Sequence, residues 1–272
     1  MRRVLFWIRL CFLLSAMKIK SEMNYYRSSY FFGVLVHIMG YFSQYVVIWV
    51  ILKKFQYING WSLFEVIFLY SLNLLSYSIA QVFVAGTFWD LDAKMLNGEL
   101  DEVMIRPMDP LFLLISKNII TMYIAHITLS IYFLYFSAQH LSIAWTASNI
   151  MWLSIVLIGA ILIQASITVI VSCTAFWTIK SRNLVGLCIW EIRRFVQYPL
   201  SIYNYFIQAI FTFVIPYAFV NFYPVYYLFD KRESVAFNIR FQYSTIMVGI
   251  IMVFIARGIW KKGIQRYQSI GA

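Results

Sequence analysis

Asp90, Asp92, Glu99, Asp101, Glu102 and Asp109 place six of the eleven acidic residues in one segment, Gly86–Pro110, which reads GTFWDLDAKMLNGELDEVMIRPMDP. Carboxylates crowded in this way can hold a cation, share a proton or meet a charged partner. Asp90-x-Asp92 begins like a calcium loop, but Lys94 occupies the next ligand position and no glycine stands where the sharp turn is needed. The spacing predicts two short helices instead. The first runs from about Phe88 to Asn97 and ends on Gly98, which suits a left-handed cap; the second runs from Glu99 to Arg106 and is stopped by Pro107. Glu99, Asp101 and Glu102 then stand near the positive end of the second helix dipole and Arg106 near its negative end. Leu100, Val103 and Met104 form the apolar side. A short helix offering apolar and charged groups together suits docking in a groove of a soluble partner. The alternative, a surface helix on anionic lipid head groups, is disfavoured by the six acids.

Other chemistry is sparse. The chain has no G-x-x-x-x-G-K-[ST] run and so cannot cradle a triphosphate in the P-loop manner, and G-x-S-x-G and H-E-x-x-H are missing too. His37, His126 and His140 lie on different predicted elements, and Cys11, Cys173 and Cys188 are odd in number and scattered, so neither a metal set nor a disulfide framework is indicated. The reading is therefore no catalytic, metal or cofactor site. Glu65 and Lys117 sit near the ends of apolar runs, where long side chains can snorkel. Gln44, Asn73, Gln81, Gln164 and Gln208 lie inside the runs. They read as interhelical hydrogen-bonding groups, each worth about 0.6–2 kcal/mol.

The elements that must carry the acidic segment are apolar. Of 272 residues, 62% are hydrophobic and 12% charged, so lipid is the solvent for most side chains. Six runs, near Tyr30–Leu52, Leu63–Val84, Leu111–Phe136, Met151–Thr178, Leu200–Phe222 and Tyr243–Trp260, are each long enough to cross a hydrocarbon core as helix. The predicted fold is all-α: a polytopic membrane protein of six transmembrane helices. The net charge of +11 is not gathered into one stripe, so nucleic acid is not an expected partner. Lys and Arg number seventeen in the termini and the second and fourth connectors, against five in the first, third and fifth. That asymmetry predicts both termini in the cytoplasm.

Met1-Arg2-Arg3 followed by Val4–Ala16 imitates a secretory signal, but Arg9 interrupts the apolar stretch and Leu14 spoils the cut site before Ala16. Arg2, Arg9 and Lys20 fall on nearly one side of a helix, which predicts an amphipathic helix lying in the cytoplasmic interface of the lipid bilayer.

Gly98-Glu99-Leu100-Asp101, followed by Arg106-Pro107 and Pro110-Leu111, resembles the cytoplasmic loop of bacterial type-2 ATP-binding-cassette (ABC) permeases, in the small six-span subfamily usually encoded as two permeases plus an ATPase. Tyr26-Arg27, Arg194 to Leu200 (RFVQYPL), Ile215-Pro216 with Asn221-Phe222-Tyr223-Pro224, and the closing Arg266 to Gly271 (RYQSIG) are similar to it as well. The resemblance implies an N-terminal interfacial helix, six spans, a cytoplasmic coupling helix between spans two and three, and short re-entrant helices on the outer side before span six. One membrane domain over 1–272 is expected, with an interfacial arm at 1–28, a coupling loop at 86–110 and an outer segment at 217–242. Tyr217, Phe219, Phe222, Tyr223, Tyr226, Tyr227 and Phe229 in that segment also suit an interfacial aromatic belt. Pro216 and Pro224 mark bends for a re-entrant excursion.

The function so implied is that of a permease subunit of an ATP-driven exporter in the bacterial cytoplasmic membrane. A separate ABC ATPase would hydrolyse ATP, and Glu99, Leu100, Asp101, Glu102, Val103, Met104, Arg106 and Pro107 would receive its movement. A second permease, a related chain rather than a second copy, would complete the pathway. A self-contained secondary transporter or integral membrane enzyme is the alternative, and the shortage of buried charges and catalytic motifs weighs against both.

Overall fold

A computed structural model describes residues 27–178, 181–229, 231 and 237–269. The predicted interfacial helix at the N-terminus lies outside the described residues. Among those described the architecture is helical, and the one strand-like pairing is an isolated bridge between Ile58 and Trp61. The chain forms α1 (Arg27–Phe55), α2 (Leu63–Phe88), the short helices α3 (Leu91–Leu96) and α4 (Glu99–Met104), α5 (Pro110–Lys117), α6 (Tyr123–Gln139), α7 (Ala147–Ser172) and α8 (Ala175–Thr178). Next, α9 comprises Arg182–Gly186, a π-helical turn Leu187–Ile192 and Arg193–Phe195. A bent pair follows, α10 (Tyr205–Val214) and α11 (Tyr217–Leu228), before α12 (Thr245–Arg266).

The centre of the bundle is α2, with 83% of its most apolar stretch buried against 11% for α1. Its start is fixed by the Ser62 backbone N–H, which donates to the Glu65 carboxylate at 2.7 Å, and Lys231 pairs with the same carboxylate at 3.0 Å. Residues on every side of α2 are buried, most of them apolar or small with Asn73 and Gln81 among them, as in a helix surrounded by others. α6 and α7 pack along it, and α12 packs along α7. The α7–α12 contact depends on Gly159 and Gly249: a Cβ on Gly249 would come within 2.8 Å of the Gly159 carbonyl oxygen, and one on Gly159 within 2.9 Å of the Ile246 backbone. Small residues bring helix backbones together where lipid offers no hydrophobic drive. Gly249→Leu should therefore force the helices apart at about 1–3 kcal/mol or more, read as a lower melting temperature of the detergent-purified protein.

Among the described residues three helices are long and apolar enough to cross a membrane, Tyr30–Phe55, Leu63–Leu96 and Ala147–Thr178, or four if the bent pair counts as one. The predicted third span, Leu111–Phe136, is broken between α5 and α6. There the Ile120 N–H turns to the Val82 carbonyl at 3.1 Å, and the Asn118 amide reaches Thr87 Oγ1 at 3.3 Å. α12 follows the predicted sixth span but carries Arg257, Lys261, Lys262 and Arg266 in its second half.

The largest departure concerns the predicted fifth span, Leu200–Phe222, which is not one helix. α10 and α11 meet at 83° around Ile215-Pro216. Upstream, α9 lies against α2, with Trp190 beside Trp89 and Arg193 bonded to Asn73. Its start is held by Asp92, whose carboxylate accepts from the N–H groups of Ser181 (3.1 Å) and Arg182 (3.3 Å). The chain beyond it reaches Ser201, whose carbonyl accepts from Asn59 Nδ2 (2.7 Å) and whose hydroxyl oxygen accepts from Trp61 Nε1 (3.2 Å). The bent pair folds back against α9: the Tyr217 hydroxyl donates to the Cys188 carbonyl at 3.4 Å, and Asn221 Nδ2 donates to Val196 O (2.9 Å) and Leu69 O (3.3 Å). Side chains thus satisfy backbone carbonyls where the helices are irregular. Apolar hydropathy alone cannot separate a continuous span from this fold-back, because both bury the same residues.

Candidate functional site: the acidic helical hairpin

α3 and α4 form a hairpin beneath α2, joined at Gly98 with φ +72°. That left-handed geometry is open to glycine at little cost, so Gly98 sets the angle between the two helices. The inner side is apolar. Leu91, Met95, Leu100 and Val103 enter a core with Val84, Phe88, Leu113, Phe176 and Trp260. Leu100 is 0% and Val103 3% exposed, so neither is free to enter a groove of another protein. This corrects the expectation that Leu100, Val103 and Met104 form one outward apolar side: the inward stripe anchors the hairpin to the bundle. Met104 does face outward at 39%, beside Ile105 at 83% and Leu96 at 53%.

The acids and cations of the hairpin tie it to other elements. Glu102 sits between Arg106 (2.6 Å) and Lys117 of α5 (3.3 Å). The hydrogen bond from Arg106, joined by Lys117, holds its carboxyl below the usual carboxylate range. Glu99 pairs with Lys94 at 3.0 Å, closing the hairpin on itself. Asp101 accepts from the Ser269 hydroxyl at 2.7 Å, and the Tyr267 hydroxyl donates to the Met95 carbonyl at 3.3 Å, so the segment after α12 lies against both short helices. Partial burial, with Asp101 nearby, raises the Tyr267 phenol above its ordinary value. Asp92 caps α9, and Asp90 pairs with Arg182 at 3.4 Å. Asp109 accepts from the Leu111 N–H that opens α5 (3.0 Å) and from Arg257 of α12 (3.1 Å). Pro107 is exposed after the end of α4. Glu99, Glu102, Met104, Arg106 and Pro107 are exposed and Asp101 is half-buried, while Leu100 and Val103 face in.

No group of three or more His, Cys, Asp or Glu residues that could hold a metal occurs among the described residues. His37 and His126, far apart in sequence, meet with ring nitrogens 3.2 Å apart. Cys173 and Cys188 are free thiols. Sequence reasoning assigned Arg193 to a connector, whereas the structure buries it at 4% exposure, with Nη1 donating to Asn73 Oδ1 at 2.9 Å. A signal was present: Val185, Ile189, Val196 and Leu200 form a buried stripe at spacings of four, seven and four, and Arg193, four after Ile189 and three before Val196, falls in its register.

An all-helical apolar bundle with a charged helical hairpin at one end, and without the sequence signature of a P-loop, has the character of the membrane component of a transporter. A family model described as ABC-2 family transporter protein matches residues 38–271, and the chain belongs to that family. It is an ABC-2 type permease, an integral membrane transport component of a family that works with an ABC ATPase. No curated protein matches the chain.

Proposed function

We propose that this chain is the permease subunit of an ATP-driven exporter and that the outer surface of α3–α4 receives a separate ATPase. The observation that carries this reading is the bracing of the hairpin: ion pairs and hydrogen bonds link it to α5, to the start of α9, to α12 and to the segment beyond α12. An apolar tip of Met104 and Ile105, ringed by Glu99, Asp101, Glu102 and Arg106, suits a pocket in a soluble partner. Movement there reaches three membrane-facing helices without an intervening flexible loop. One permease domain supplies half of a pathway, and a second, related permease supplies the rest in the bacterial cytoplasmic membrane. A tagged permease should co-purify with a P-loop ATPase whose hydrolysis depends on the hairpin; recovery without any ATPase from native membranes would count against the reading.

The same proposal takes the chain to cross six times with both termini cytoplasmic. The fifth crossing is 182–201, supported by the contacts of Ser181 with Asp92 at one end and of Ser201 with Asn59 and Trp61 at the other. α10–α11 is then the outer re-entrant pair, in place of a span at Leu200–Phe222. With Arg193 and Arg194 removed from the connectors the cation asymmetry is fifteen to five, still favouring that orientation. In a background without native cysteines, cysteines at Ser142 and Ile202 should react with an impermeant thiol reagent from outside, and one at Asn183 should not. Protection of Ile202 from outside together with access from the cytoplasm would return the fifth span to Leu200–Phe222.

A further inference from the structure

Arg193 is a permanent cation inside the bundle, and its contacts are all neutral. Its Nε donates to the Ile189 carbonyl at 3.3 Å, Nη1 donates to Asn73 Oδ1 at 2.9 Å, and the guanidinium carbon lies 3.8 Å from the centre of the Tyr77 ring. Among the described residues no carboxylate pairs with it, although its neighbour Arg194 pairs with Glu191 at 3.1 Å. A ring face and two neutral acceptors offset only part of what a guanidinium loses on leaving water, and at neutral pH arginine does not escape by giving up its proton.

Two further donors share this imbalance. Asn73 Nδ2 and the Tyr70 hydroxyl are fully buried on the same stretch of α2 and have no hydrogen-bond partner among the described residues. Tyr70 lies three residues before Asn73, on the same side of α2. A cation, an amide N–H and a phenolic O–H, all short of acceptors, form a donor set that an anion would complete. Guanidinium fits carboxylate and phosphate in particular, with two parallel N–H donors.

An apolar cavity of about 480 Å³ has Cys188, Thr212, Pro216 and Phe219 in its wall. Tyr217 relates the two regions: its hydroxyl bonds the Cys188 carbonyl, and the neighbouring Ile189 carbonyl accepts from Arg193. Asn221 holds α11 to both α9 and α2 beside this region.

We propose that Arg193, Asn73 and Tyr70 bind the anionic head of an amphiphilic substrate, a carboxylate or phosphate, while the cavity takes its apolar part. This rests on the permease reading but is measured without the ATPase, so loss of ATPase co-purification leaves it standing. The probe is dodecyl phosphate added to the permease in dodecyl maltoside, with dodecyltrimethylammonium and inorganic phosphate as comparisons, and melting temperature as the readout. Dodecyl phosphate should protect the protein saturably, and the cationic amphiphile should not. Arg193→Gln should raise the half-saturating concentration at least tenfold. Tyr70→Phe should raise it about threefold with ligand-free melting unchanged, and this variant carries the test if Arg193→Gln does not fold. Equal protection of wild type and Tyr70→Phe, protection by the cationic amphiphile to the same degree, or saturation by inorganic phosphate alone would each overturn the assignment.

Discussion

Ile105→Asp is expected to abolish assembly with the ATPase while leaving the permease folded. Ile105 caps the end of α4 with 83% of its surface exposed, and substitution at such a position changes stability by about 0.5 kcal/mol or less. If the side chain enters a pocket of the partner, aspartate there replaces an apolar anchor with a desolvated charge. Glu102 and Asp101 beside it add like-charge repulsion, and Arg106 is already engaged by Glu102. A loss of about 4 kcal/mol at a central contact weakens binding roughly a thousandfold. The measurement is ATPase recovered with the tagged permease, alongside the melting temperature of the permease itself. Ser142→Asp, exposed on the loop between α6 and α7, is the control and should retain assembly. Wild-type recovery with Ile105→Asp would remove this surface from the coupling role.

The existence of the hairpin was legible in the sequence, because a glycine cap and a proline stop act locally: Gly98 takes its left-handed conformation between two short helices as predicted. Which side faces the bundle was not legible. Leu100, Val103 and Met104 all read as one apolar side, and only the position of Trp260 and Phe176, from distant parts of the chain, draws Leu100 and Val103 inward and leaves Met104 out. The same limit applies to the interior. Pro216 and Pro224 announced bends, yet the depth of the fold-back depends on Tyr217 meeting Cys188 and on Asn221 bridging two helices, which no local pattern encodes. Arg193 was misplaced because charge was counted by connector, and the connector itself proved to be helix.

Leu100→Asp, five residues before Ile105, should fail in the opposite way, by loss of the folded permease before any partner is met. Leu100 is fully enclosed in the core shared by α2, α3, α5, α8 and α12. Replacing it removes about 2–5 kcal/mol of packing, and the new carboxylate must either stay charged without a partner or take up a proton. Either course adds a few kcal/mol, so the total is on the order of 5 kcal/mol or more. Against a typical net stability of roughly 5–15 kcal/mol, that is enough to unfold the hairpin end of the bundle. Leu100→Met, of similar volume, should cost about 1 kcal/mol and keep both folding and assembly. The comparison is made by fluorescence-detected size exclusion and protease digestion of membranes carrying each variant. A monodisperse, protease-resistant Leu100→Asp protein that merely loses the ATPase would show that Leu100 faces the partner after all, and would return the docking surface to Leu100, Val103 and Met104.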